Sequence, residues 1–89
     1  MSLDERFNAA ADTVKSLTQR PTNDELLELY ALFKQGSIGD NTTEKPGLLD
    51  LKGKAKWEAW TGKLGMGQDE AKEAYIAKVD ELLALYPHS

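Results

Sequence analysis

The 89-residue sequence has no cysteine, three prolines and a single histidine, His88, next to the last residue. Without cysteine there is no disulfide and no thiolate ligand or nucleophile, and a reducing compartment suits the chain. One histidine beside the terminus leaves little for a metal site or a nucleophile–base pair. His88 reads as an exposed tail residue; no metal, no cofactor and no catalytic residue is expected, and the chain does not read as an enzyme. No apolar run approaches the ~18 residues that cross a bilayer. The start, Met1-Ser2-Leu3-Asp4-Glu5, is polar and acidic, unlike a signal peptide. A cytoplasmic protein with no stable membrane insertion is therefore expected, acting as a monomer. The length fits one domain, residues 1–89, with a modest core that hides roughly 60% of the unfolded surface.

Positive charge is also scarce. Eleven lysines and arginines face fifteen carboxylates, for a net charge of −4. That balance argues against a general nucleic-acid binder. The positive charge is concentrated: residues 45–63 hold five lysines against Asp50 and Glu58, a local +3, and the remainder carries −7. Two readings are open on charge alone, a focused anion site or a solvated lysine face.

Hydrophobic spacing predicts four helices and no sheet. The first covers about residues 4–17. Ser2 and Glu5 have capping-box spacing, and Leu3, Phe7, Ala10, Ala11, Val14 and Leu17 form one stripe with Lys15 at its edge. Arg20-Pro21 ends it. The second covers about residues 23–35, with Thr22 and Glu25 as a second capping box. Its central stripe is Leu26, Leu29, Tyr30 and Phe33, flanked by Leu27 and Lys34; Gly36 and Gly39 read as C-terminal stops. Residues 37–51 read as a long loop, which in a compact domain is usually functional or disordered. Leu48, Leu49 and Leu51 predict that its end packs back onto the body.

The third helix, about residues 52–62, sets Lys52, Lys56 and Lys63 on one side with Ala55 and Ala59, and Trp57 and Trp60 on a neighbouring side. The fourth, about residues 68–86, carries Ala71, Tyr75, Val79, Leu82 and Tyr86 as its main stripe. Ala74, Leu83 and Leu85 widen that stripe, and Pro87 closes the helix. The pattern is an all-α bundle with a long connection between its second and third helices.

The run from Lys52 to Trp57 can offer several ammonium groups to a phosphate. Small residues at Gly53, Ala55 and Ala59 leave room beside the backbone. Lys15 and Lys34 border apolar stripes, where their stems can snorkel along the core edge or rim an apolar groove. The aromatics Phe7, Trp57, Trp60 and Tyr86 read as core. Tyr30, Phe33 and Tyr75 read either as core or as a surface for a ring and a phosphate.

These residues also carry a resemblance. The run Gly39-Asp40 and then Pro46-Gly47-Leu48-Leu49-Asp50-Leu51-Lys52-Gly53-Lys54-Ala55-Lys56-Trp57-Glu58-Ala59-Trp60 resembles the central motif of acyl-CoA-binding proteins. Leu29-Tyr30-Ala31-Leu32-Phe33-Lys34-Gln35 resembles their second helix, and Ala74-Tyr75-Ile76 the middle of their fourth. The likeness runs from Phe7 to Tyr86. It implies a four-helix up-down-down-up bundle that binds long-chain fatty acyl-CoA. By matched position it implies that Tyr30, Lys34 and Lys56 hold the 3′-phosphate, and that Lys15 sits beside the adenine and phosphates. It implies further that Phe33 lies against the adenine, that Tyr75 lines the site, that Lys52 borders it and that Leu27 lines the acyl groove. Helix angles put Lys54 on the opposite side. Phe33 stands where such proteins typically have tyrosine, and Gly36 where alanine is usual, which predicts a frayed end to the second helix. The competing reading is a helical protein-interaction module, by analogy with secreted peptide modulators processed from this family. A thioesterase is a distant third.

Overall fold

The computed structural model describes residues 1–86, so His88 and Pro87 lie outside the described residues. The regular elements in that range are all helical: α1 (Leu3–Thr13), α2 (Asn23–Ser37), α3 (Leu51–Thr61) and α4 (Gln68–Leu85). Both capping boxes form. Ser2 Oγ accepts from the Glu5 N–H while Glu5 returns the bond to the Ser2 N–H, and Thr22 and Glu25 do the same for α2. Each satisfies two donors that a helix start otherwise leaves open.

Contacts at the ends set the chain directions. Asp4 pairs with Lys72 and Arg6 with Glu73, so α1 and α4 run together from the same end. Gly36 lies against Lys72 while Tyr86 donates to Glu25, so α2 runs antiparallel to α4. Lys56 and Trp60 of α3 meet Tyr30 and Lys34 of α2 in the same order along the chain, so α2 and α3 run parallel. The result is the up-down-down-up bundle. Helix α4 packs on both α1 and α2; among the described residues α3 packs on α2 alone.

The core sits between α1, α2 and α4, and is built from Phe7, Ala10, Leu29, Leu32, Tyr75, Val79 and Leu82. Of the stripe expected on α4, Ala71, Tyr75, Val79 and Leu82 are buried, Ala74, Leu83 and Tyr86 are half-buried and pack on the core, and Leu85 is exposed. Helix α1 is shorter than the apolar spacing suggests. It tightens into a 3-10 turn over Val14–Ser16, although Val14 and Leu17 still pack on the core.

Helix α2 is rotated from the expected face. Leu29, Leu32, Gln35 and Gly36 are buried, whereas Leu26 and Tyr30 are half-buried and Phe33 is exposed. The Leu26–Tyr30 side is turned toward α3, which covers it incompletely. Nor does Gly36 stop or fray α2. It lies inside the helix, where an added Cβ would meet the Lys72 side chain at 3.0 Å and the Lys72 backbone nitrogen and Phe7 ring at 3.4 Å. Its small size lets α2 approach α4. The left-handed stop is Gly39, at φ +101°.

The loop over residues 38–50 behaves in two ways. Its first half is fastened. Trp60 Nε1 donates to the Gly39 carbonyl at 2.9 Å and Trp57 Nε1 to that of Thr43 at 3.0 Å. Buried Gln35 Nε2 donates to Asp40 and to the Met66 carbonyl, both at 2.8 Å. Trp60 is thus core as expected, while half-buried Trp57 serves to tie the loop. The second half does not pack back. Leu48 and Leu49 in the turn and Leu51 at the start of α3 are 80%, 98% and 73% exposed, because among the described residues no other element covers them.

Candidate functional site

The gap left by α2's rotation is a cleft of about 540 Å³ between α2 and α3. Arg20, Asn23, Leu26, Leu27 and Tyr30 line one wall and Leu51, Lys52, Ala55 and Lys56 the other. Ala55, with only a methyl side chain, leaves the space between the walls open. Gly53 serves a different purpose from the ligand space expected of it. A Cβ there would collide with the Asp50 carboxylate, which caps α3 by accepting from the Gly53 N–H at 3.0 Å.

The cations at the cleft are organised around Tyr30. Lys56 Nζ lies 5.3 Å from the centre of the Tyr30 ring. Lys34 Nζ lies 5.9 Å from that ring and 5.6 Å from the Trp60 ring. Such contacts are worth about 0.5–1 kcal/mol each at exposed positions, enough to orient an ammonium group without neutralising it. Among the described residues Lys34, Lys52 and Lys56 have no carboxylate within ion-pair distance, whereas Lys63, Lys72 and Lys78 are paired with Glu28, Asp4 and Glu81. The cleft therefore gathers lysines whose charge is unspent. An apolar wall beside unpaired ammonium groups suits a ligand with an apolar part and an anionic part.

A shallower depression of about 390 Å³ lies between Glu28, Leu32, Met66 and the outer side of α4. Its lysines, Lys63 and Lys78, are both ion-paired, so it offers no comparable cation.

The residues singled out from sequence fall in two groups, with Lys15 apart from both. Leu27, Tyr30, Lys52 and Lys56 line the cleft, and Lys34 stands at its edge over Tyr30. Phe33 and Tyr75 lie elsewhere, in an aromatic group with Phe7. The Phe33 ring stacks on Phe7 at 5.3 Å, and Tyr75 meets Phe7 edge-on at 5.1 Å. Tyr75 is buried, and that burial pushes its hydroxyl above the usual tyrosine range. Lys15 is exposed on the 3-10 turn after α1, with Asp12 3.9 Å away, and does not line the cleft. Tyr30 and Phe33 are three residues apart on α2 and so are neighbours on its surface. A ligand touching both places would cross α2 at this point. Lys54 is half-buried and does not line the cleft.

Arg20 and Asn23 are cleft residues that sequence reading missed. Arg20 stood out only as the residue before a proline, and Asn23 only as the first residue of a helix. Leu26 was read as core. The available signal was that Leu26, Leu27 and Tyr30 make an apolar side wider than one neighbouring helix can cover. Among the described residues no group of three histidines, cysteines or carboxylates is placed to hold a metal ion, and no helix is long and apolar enough to cross a membrane.

A family model described as Acyl CoA binding protein matches residues 4–79. The chain is 64% identical over 80 residues to Acyl-CoA-binding protein homolog 1 of Caenorhabditis elegans, covering 90% of this chain and 93% of that protein. It is 63% identical over 82 residues to the Acyl-CoA-binding protein homolog of Drosophila melanogaster, covering 92% and 95%. Among solved structures it resembles Oryza sativa Acyl-CoA-Binding Protein 2, with a TM-score of 0.91 at 39% identity over 94% of this chain and 93% of that one.

Proposed function

The chain belongs to the acyl-CoA-binding protein family, and from that premise we propose that it binds medium- to long-chain fatty acyl-CoA esters as a cytoplasmic, monomeric carrier and pool former without catalysing their hydrolysis. The observation that carries this reading is the cleft. Leu26, Leu27, Leu51 and Ala55 offer apolar lining, unpaired Lys34 and Lys56 gather at the Tyr30 end, and unpaired Lys52 borders the cleft beside Leu51. The acyl chain lies along the wall and the nucleotide phosphates meet the lysines. Phe33, across α2, offers aromatic surface to the adenine, with the buried Tyr75 ring packed behind it. Lys15 approaches the phosphates once its exposed side chain swings from Asp12.

Magnitudes favour the chain as the source of affinity and the lysines as the source of selectivity. Burying a methylene is worth about 0.8 kcal/mol, so ~10 of them supply ~8 kcal/mol before ordering costs. Exposed ammonium–phosphate contacts add less each, but a fatty acid lacking phosphates cannot make them.

Calorimetry with palmitoyl-CoA, coenzyme A and palmitate tests the reading. Palmitoyl-CoA binds tightly, one to one; coenzyme A binds far more weakly, and palmitate poorly. Comparable affinity for palmitate and palmitoyl-CoA would overturn the head-group clamp. Release of free coenzyme A on incubation would overturn the non-catalytic role.

A further inference from the structure

Leu48 and Leu49 fill the two corners of a turn closed by the Asp50 N–H donating to the Gly47 carbonyl at 3.1 Å. They are 80% and 98% exposed, and Leu51, opening α3, is 73% exposed. Single exposed leucines are ordinary on a protein surface. Three within four residues, at the tip of a turn, form a patch that asks for a partner. The cleft's own ligand does not account for them all: Leu51 lines the cleft, but Leu48 and Leu49 do not.

The surroundings of the tip specify the partner's charge. Lys45 precedes it, and Lys52 and Lys54 follow. Two carboxylates flank it in the chain, Glu44 and Asp50, against three lysines, and Asp50 is engaged in capping α3. The tip opens the +3 window of residues 45–63, on a chain whose remainder carries −7. Behind it the loop is held by the two tryptophan bonds to Gly39 and Thr43, so the tip has a fixed base.

We propose that the turn at residues 47–51 is a docking tip for an anionic phospholipid surface. Leu48 and Leu49 enter the boundary of the acyl region, and Lys45, Lys52 and Lys54 sit among the headgroups. The acidic remainder of the molecule is repelled, which orients the protein. A lipid surface fits better than a protein because three leucines fall well short of the ~800 Å² per partner of a specific interface. The tip also has no aromatic or arginine anchor of the kind that dominates protein interfaces. A bilayer needs no shape complementarity. Binding of this kind is peripheral and reversible. It sets the Leu51 end of the cleft against the bilayer, where an acyl chain enters or leaves. That purpose rests on the acyl-CoA reading above, but the docking itself does not.

The test is sedimentation of the ligand-free full chain with vesicles of phosphatidylcholine alone or with about a third phosphatidylserine. The expected result is binding to the anionic vesicles only, weakened as salt shortens the Debye length from about 10 Å toward 3 Å. Leu48→Ser with Leu49→Ser lowers it by about tenfold or more and leaves the thermal melt unchanged. Lys45→Glu with Lys54→Glu weakens it by the electrostatic route. Leu64→Ser, at a leucine of comparable exposure away from the tip, changes nothing. Equal binding of the wild type and the double serine variant would overturn the proposal, as would indifference to phosphatidylserine. So would loss of palmitoyl-CoA affinity in the serine variant without vesicles, which would make the leucines part of the ligand site. Self-association of the wild type that the serine variant abolishes would instead assign the tip to a second copy. No acyl-CoA enters the vesicle measurement, so its outcome is independent of the calorimetric test of function.

Discussion

The two sides of α2 are built for different ends. Toward α4 the helix presents Leu29, Leu32, Gln35 and Gly36, all buried, with Gly36 allowing a close approach. Toward α3 it presents Leu26, Leu27, Tyr30 and Lys34 to a cleft of about 540 Å³. The lysines that brace α1 to α4 and α2 to the chain after α3, Lys72 and Lys63, have carboxylate partners; among the described residues those at the cleft have none. One side uses its groups for folding and the other leaves them available. Substitutions on the α4 side should therefore change stability with little effect on ligand chemistry, and substitutions at the cleft should do the reverse.

The largest expected effect is on the α4 side. Leu82 is fully buried in the core, so Leu82→Ala lowers unfolding stability by about 2–5 kcal/mol. Denaturant titration measures that loss, while the folded fraction still binds palmitoyl-CoA with one-to-one stoichiometry. A stability-neutral Leu82→Ala would break the comparison.

Next come the cleft lysines. Lys56→Ala and Lys34→Ala each remove a charged hydrogen bond worth about 1.5–3 kcal/mol of binding, read by calorimetry. Their denaturation midpoints stay near the wild type, since only cation–π contacts are lost. Lys54→Ala, off the cleft, leaves affinity almost unchanged. Equal losses at all three positions would mean that the lysines act as a diffuse field and not as a site.

A smaller effect sharpens the boundary between the sides. Phe33 is 37% exposed and stacked on Phe7, at the position where the family resemblance leads one to expect tyrosine. Phe33→Tyr restores a hydroxyl at the rim, and acyl-CoA affinity rises by about 1 kcal/mol. Unchanged affinity would remove the aromatic group from the ligand's reach.

The smallest effect lies at the N-terminal end of α2. The Tyr86 hydroxyl donates to Glu25 at 2.6 Å, and with the Thr22 N–H it holds the Glu25 carboxyl below the usual glutamate range. A carboxyl lowered in the folded state stabilises the protein above the unfolded value of about 4.3. That contribution is lost as pH falls through the lower folded value. Tyr86→Phe is thus slightly less stable than wild type near neutral pH, and the gap closes in acid. Melts at several pH values check this; a gap that widens in acid would reverse the assignment.

Much of the fold was legible because its determinants are local. Both capping boxes rest on residues three apart, and the α4 stripe rests on helical spacing. That Lys52, Lys56 and Tyr30 share a cleft was legible only through family resemblance; spacing alone left a solvated lysine face open. Leu48, Leu49 and Leu51 show the opposite case. Their apolar character predicted burial, but the sequence carries no statement of what stands over a turn. Gly36 looked like a helix stop because glycine is a poor helix former, and its packing role needs α4 to be in place.

By itself, then, the sequence determined where helices begin, which residues of α4 are apolar on one side, and that positive charge gathers between residues 45 and 63. Those are properties of spacing and composition. Tertiary structure decided which side of α2 is core and which is cleft, which lysines remain unpaired, and which leucines face solvent. Each depends on a neighbour distant in the chain: α4 and α3 flank α2 from opposite sides, and α3, packed on α2 alone, leaves the gap.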